Sequence, residues 1–275
     1  MKGLKKIALV TAIAAAPFAA HADLKAMDDS MMGNITGQAG VTIELETQVS
    51  IGSFVYTDEG SFAVSGIEIG GAGIAGAAHD GIGNPVTNLL DDFSITIDVE
   101  ADGDAFISLH SITGNPIDWG VTASSMSLVA ADGSESTTLV SNLSGHGMLG
   151  QLDIRVDTAT DQLQLDVAFN VMDMDFDVEF LGVGIRDMAI MGGTFFENGS
   201  NFSGGFGDMF AVADVDVYKG NGLGASLATD VLRVDINDIT FDMNIGAIEI
   251  GGTSIGSVAM DNLTISNTKL AVYGH

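Results

Sequence analysis

The chain has 275 residues, with 9 Lys and Arg against 37 Asp and Glu and a formal net charge of −28 at pH 7. Such a field excludes nucleic acid and anionic headgroups as electrostatic partners and favours cations and basic surfaces. A hydrophobic fraction of 46% excludes a disordered acidic chain, and the lack of cysteine excludes disulfide staples, thiolate metal sites and thiol catalysis.

The first predicted element is an export signal. Lys2, Lys5 and Lys6 make a basic start, and residues 7–20 form an apolar run too short to span a bilayer as a helix. Ala20-His21-Ala22 follows as a small-x-small cleavage pattern. Residues 1–22 are therefore read as a signal peptide. Export would place the mature chain in the periplasm, at the outer-membrane surface or outside a Gram-negative cell. Taking those three lysines from the 9 basic residues leaves six against 37 acids, so the mature chain carries about −31. Residues 23–275 are read as a single β-rich domain. With 36 Gly and 3 Pro, its turns fall mainly to glycine, Asn and Asp.

Residues 23–33 predict a short N-terminal helix, capped by Asp23, with Leu24, Met27 and Met31 at helical spacing and Gly33 as its stop. The period then changes to two. Val41, Ile43, Leu45, Val49 and Ile51 alternate with Glu44, Glu46, Gln48 and Ser50, which predicts one long half-buried strand. Phe93, Ile95, Ile97 and Val99 make the next, and Asp102-Gly103 turns it back into residues 105–112. Ile154 and Val156 lead through a turn at 159–162 to Leu163, Leu165, Val167, Phe169 and Val171. The apolar phase then moves to Met172, Met174, Phe176, Val178 and Phe180, with Asp173, Asp175, Asp177 and Glu179 between them. Phe169 and Phe176 are expected in the core on neighbouring strands. The phase moves again at Leu181-Gly182, which predicts a bulge or bend. Leu232, Val234 and Ile236 change phase to Ile239, Phe241, Met243 and Ile245, so the strand must bulge or turn at Asn237-Asp238.

One run, Ile67-Glu68-Ile69-Gly70-Gly71, recurs identically as Ile248-Glu249-Ile250-Gly251-Gly252. It marks either two equivalent turns of a duplicated sheet or a coincidence in a glycine-rich chain. The expected fold is all-β: an elongated antiparallel sandwich or roll with long strands, with a β-solenoid as the alternative.

Candidate sites are few. Asp173, Asp175 and Asp177 open like a calcium loop, but Val178 stands where such a loop needs glycine and Gly184 where it needs its closing acid. Alternating acids on one strand face account for them. Gly204-Gly205-Phe206-Gly207-Asp208 approaches a calcium nonapeptide with its acid one place early, and is read as a glycine loop. The turn itself accounts for Asp102 and Asp104. His79, His110, His146 and His275 have no zinc-like spacing, and His21 leaves with the signal. There is no G-x-S-x-G, no H-E-x-x-H and no P-loop. The expected chemistry is therefore none: no catalytic, cofactor or metal residues. The expected partners are a protein at the cell surface and diffuse cations.

Several segments resemble a family of exported proteobacterial proteins of unknown function, the Fil-type pilus assembly proteins. They are Leu24 with Met27-Asp28-Asp29, and Thr36-Gly37-Gln38-Ala39-Gly40 before Val41. Next come Ile51-Gly52-Ser53 to Tyr56-Thr57-Asp58, and Phe180-Leu181-Gly182-Val183-Gly184-Ile185. The last are residues 250–257, Asp261-Asn262-Leu263 and Tyr273-Gly274-His275. The resemblance implies an exported, fimbria-associated role and transfers no catalytic residue.

The leading expectation is a non-catalytic structural or accessory protein of a fimbrial or biofilm-type surface assembly. An outer-membrane β-barrel fits the alternation and the export signal, but few aromatics are present for its girdles and the chain ends in His275. A periplasmic carbohydrate-binding or hydrolytic protein would have to rest on Trp119 alone.

Overall fold

In an extended chain successive side chains point to opposite faces, so a sequence that alternates for tens of residues must place one face against water and the other against something apolar. Among the described residues of the computed structural model this alternation builds thirteen strands. They are β1 (Val41–Thr47), β2 (Val49–Thr57), β3 (Ser61–Gly70), β4 (Leu90–Val99), β5 (Ala105–Ser111), β6 (Ile117–Val129) and β7 (Ser136–Asp157). Then come β8 (Gln162–Phe169), β9 (Asp173–Val178), β10 (Val183–Met191), β11 (Ala211–Gly220), β12 (Val231–Ile250) and β13 (Thr253–Val272). The structure describes residues 40–134, 136–197 and 206–274. All belong to the second of two compact units, Met1–Ala39 and Gly40–His275. The expected signal peptide and the helix at 23–33 lie outside the described residues.

The strands form one 13-stranded sheet, and every strand pair in it is antiparallel. Its logic is a meander of eight long rows. β1 and β2 run end to end as row one, β3 and β4 as row two, and β5 and β6 as row three. β7 is row four, β8 and β9 row five, and β10 and β11 row six. β12 and β13 are rows seven and eight. Five rows of two strands and three of one account for all thirteen. Each row pairs only with the rows before and after it.

The turns join the row ends alternately. Gly103, at φ 96, closes the turn between rows two and three, and Gly251 and Gly252, at φ 59 and 75, close that between rows seven and eight. A side chain at these angles would be strained.

The all-β, antiparallel expectation holds, and the strands are not stacked as solenoid coils. Several details differ. Residues 41–51 are not one half-buried strand: the chain breaks at Gln48, and β1 and β2 are exposed nearly throughout because they form the outermost row. Leu181-Gly182 is the hairpin between rows five and six, with Gly182 at φ 64. The phase change at Asn237-Asp238 is a bulge inside an unbroken β12, as expected. The repeated Ile-Glu-Ile-Gly-Gly runs are not equivalent: Gly71 leaves row two at mid-length, whereas Gly251-Gly252 ends row seven. Phe169 and Phe176 lie in the same row, on one face, and are half-buried.

The core is elsewhere. Rows two and six are interrupted at mid-length by excursions, residues 71–89 and, among the described residues, 192–197 and 206–210, which fold back over the middle of the sheet. Met148 is fully buried there with Ala168 and Phe210, and Met172 and Met209 pack against them. Gly81 touches this cluster so closely that a Cβ would lie 2.6 Å from the Met172 sulfur. Asn170, also fully buried, bridges the break in row five: its Oδ1 accepts the Met148 amide at 2.7 Å and its Nδ2 donates to the Met209 carbonyl at 3.1 Å.

Candidate functional site

The register assigns each residue to a face. One unbroken ladder of directly opposed residues crosses all eight rows: Val41, Ile97, Ile107, Ile154, Leu165, Val215, Ile236 and Thr268. Another crosses rows two to six through Ile95, Leu109, Leu152, Val167 and Ala213. These residues share one face, and all but Thr268 are apolar. The neighbouring ladder, Thr96, Ser108, Asp153, Asp166, Asp214 and Asp238, is polar. The sheet therefore has an apolar and an acidic face.

Both excursions lie on the acidic face. Ala72 donates its amide to Asp118 Oδ2 at 2.7 Å, and Phe196 donates its amide to Asp242 Oδ2 at 2.8 Å. The apolar face receives neither. Along it Phe93 and Ile117 are buried, with the small Ala123, Ala211 and Ala213, but Val41, Ile43, Leu45, Leu232, Leu270 and Val272 are exposed. A single monomeric surface seldom shows more than a few hundred Å² of continuous apolar patch. Trp119 sits half-buried on this face beside Gly147, not on an exposed aromatic platform.

The acidic face holds the titratable groups, and the acids of the D-x-D-x-D run part company. Asp177 pairs with Arg186 at 2.5 Å and accepts Asn142 Nδ2 at 2.9 Å. Those two bonds, Asn142 first, hold its carboxyl below the ordinary value. Asp173 and Asp175 meet Asp187 instead, with carboxylate oxygens all within 4.8 Å. Asp187 has a positive φ of 51, and its amide donates to Asp175 Oδ1 at 2.8 Å. The sequence motif missed it, because the hairpin register at Val183–Val178 counts Asp187 to Met174, between the two acids. Burial, then Asp175, raises the Asp173 carboxyl above the ordinary value. Glu100, Asp102 and Asp104 form a second acidic group at the turn between rows two and three. Asp104 is already engaged by the Thr158 amide at 2.9 Å and by Arg155 at 2.7 Å, and these contacts lower its pKa. Of the histidines, His79 pairs with Pro85, His110 lies on β5, and His146 lies on β7 near Asp118 and Asp173. Burial holds the His146 imidazole below its usual value against the pull of those two acids.

These shifts oppose one another. Asp118, Asp166 and Asp173 are raised chiefly by burial, so their ionisation disfavours folding. Their favourable contribution is complete below the ordinary value of 3.8 and is lost as pH rises through the folded values. Asp92, Asp104 and Asp177 are lowered. At Asp92 burial works upward but hydrogen bonds from Ser111 and Thr113 outweigh it. This second set stabilises above 3.8 and loses its effect as pH falls through the depressed values. The melting temperature is expected to rise from neutral pH towards the raised carboxyl values and to fall below 3.8. Asp118→Asn, which keeps an acceptor for Ala72, should flatten the rising limb. A melting temperature that drops steadily from neutral pH downward would contradict this ordering.

No curated protein and no solved structure matches the chain. Residues 1–101, which include the first two rows of the sheet, are similar to a protein family described as Family of unknown function (DUF6160).

Proposed function

We propose that the chain is an exported, non-catalytic structural component of a cell-surface assembly of fimbrial or biofilm type. The observation that carries this reading is the set of exposed apolar side chains towards both ends of the apolar face, Val41, Ile43 and Leu45 on row one and Leu232, Leu270 and Val272 on rows seven and eight. A partner that covers these side chains removes apolar surface from water. The acidic face would stay in water and keep the assembly soluble. The export signal, the resemblance to Fil-type pilus assembly proteins and the lack of a catalytic motif support the same reading.

A second reading draws support from the topology. An even-numbered antiparallel meander with one apolar face is the plan of an outer-membrane barrel. Against it, the apolar face follows rows as long as the 20 residues of β12 and β13, whereas a bilayer asks for a band about 25 Å tall. The two readings separate in one experiment. The mature protein, isolated from its native surface without boiling, should run in detergent gels at the same position before and after heating. It should elute in size-exclusion chromatography as species larger than one chain. A heat-modifiable band would favour the barrel and overturn the structural assignment.

A further inference from the structure

Both outer rows leave one edge unpaired among the described residues. Row one is β1 and β2, and row eight is β13. Neither contains proline, and their charged residues are Glu44 and Glu46 on row one and Asp261 and Lys269 on row eight. Unpaired edges of this length are ordinarily blunted by prolines, charges or bulges. The upper part of row eight carries such devices, with Gly256, Asn262 and Asn267 at positive φ. The stretch from Thr268 to Val272 has no proline and no positive φ, and its one charge is Lys269.

We propose that this stretch of row eight accepts residues 41–45 of row one from a second copy of the chain, antiparallel and in one register, so that copies join head to tail. The proposal rests on the structural-component reading and names the partner. The register follows from the ladder. In an antiparallel sheet, directly opposed pairs alternate between hydrogen-bonded and non-hydrogen-bonded from one row to the next. Across eight rows the outward groups of Val41 and Thr268, the ends of the unbroken ladder, are therefore of one kind. Ile43 shares that kind with Val41, and Leu270 and Val272 share it with Thr268. Pairing these residues matches backbone groups and keeps apolar side chains on one face. The flush register sets Val41 against Val272, Ile43 against Leu270 and Glu44 against Lys269. Lys269 is 58% exposed and only 3.7 Å from Asp235, so its ammonium can serve Glu44 as well.

The same pairing inside one chain would close a barrel, and the structure disfavours it. Val272 and Tyr273 line a cavity of about 870 Å³ with Tyr56, Phe62 and Leu128. The lower end of row eight thus lies beside the upper ends of rows one to three, not beside Val41. The matching edge must come from another molecule. Such a contact is heterologous and leaves a free edge on each end, so it does not stop at two.

The chain has no cysteine, which makes the test clean. Ile43→Cys and Leu270→Cys are prepared as single variants of the mature protein and as a double variant. On mild oxidation the mixed single variants should give covalent dimers, each single variant alone should stay unlinked, and the double variant should give a ladder of multimers. Lys269→Glu should lower the cross-linked fraction about tenfold, and adding Glu44→Lys should restore it. Cross-linking only within one chain of the double variant would overturn both this inference and the structural-component reading. Multimers by size-exclusion chromatography without cross-links would overturn the edge register alone. Dimers from either single variant by itself would show a symmetric contact and overturn head-to-tail joining.

Discussion

Met148→Ala is expected to lower the stability of the sheet by about 2–5 kcal/mol, the range for truncating a fully buried large side chain with a cavity left behind. Met148 has no exposed surface and touches the cluster that holds both excursions to the sheet. The cavity would open under Gly81 on one side and Phe210 on the other, so the loss should reach beyond the substituted row. Chemical denaturation reads the change directly. Met148→Leu, of similar volume, should cost under about 1.5 kcal/mol. Equal stability of Met148→Ala and the parent would mean that the excursions do not form the core.

Asp242→Ala is the second large effect. Asp242 is fully buried, and its two oxygens accept the Phe196 amide at 2.8 Å and the Asn262 amide at 2.7 Å. Asn262 sits at φ 53 in row eight, so this carboxyl fastens both the second excursion and a bulge of the outermost row. Removing it leaves two backbone donors without their acceptor, a loss of about 3–5 kcal/mol at 1–3 kcal/mol each plus the lost bonds. Amide exchange should quicken first in the upper half of β13 and in the excursion. Exchange that stays unchanged at Asn262 would refute the coupling.

How far the sequence reaches is clear from particular residues. The period of two is a direct image of the extended backbone, so the strands around Ile95, Leu165 and Ile236 were legible, as were the turn at Gly103 and the bulge at Asn237-Asp238. Which face is covered was not legible, because alternation reports only that two faces differ. Phe169 and Phe176 are the largest side chains of their segment, yet they point to the open face. Met148 is central but sits among His146, Gly147 and Gly150, where no apolar run advertises it. The excursions that bury it read as glycine-rich connections, since their role depends on long-range packing. The acidic site behaved likewise: Asp173 and Asp175 were visible as a pattern, and their third partner, Asp187, came from the facing strand.

The meander has a consequence for how the chain acquires its structure. Each row finds its ladder partner in the segment just before it, so no pairing waits for a distant part of the chain. Topologies dominated by such sequential contacts pay a small loop-closure entropy at each step. A chain delivered from its N-terminal side could lay down one row after another and consolidate when residues 71–89 reach Met172, two rows beyond their nearest neighbour. Until then the growing edge is always the newest row. The finished molecule still ends on that edge, with β13 as a template poised for a row that its own chain does not provide.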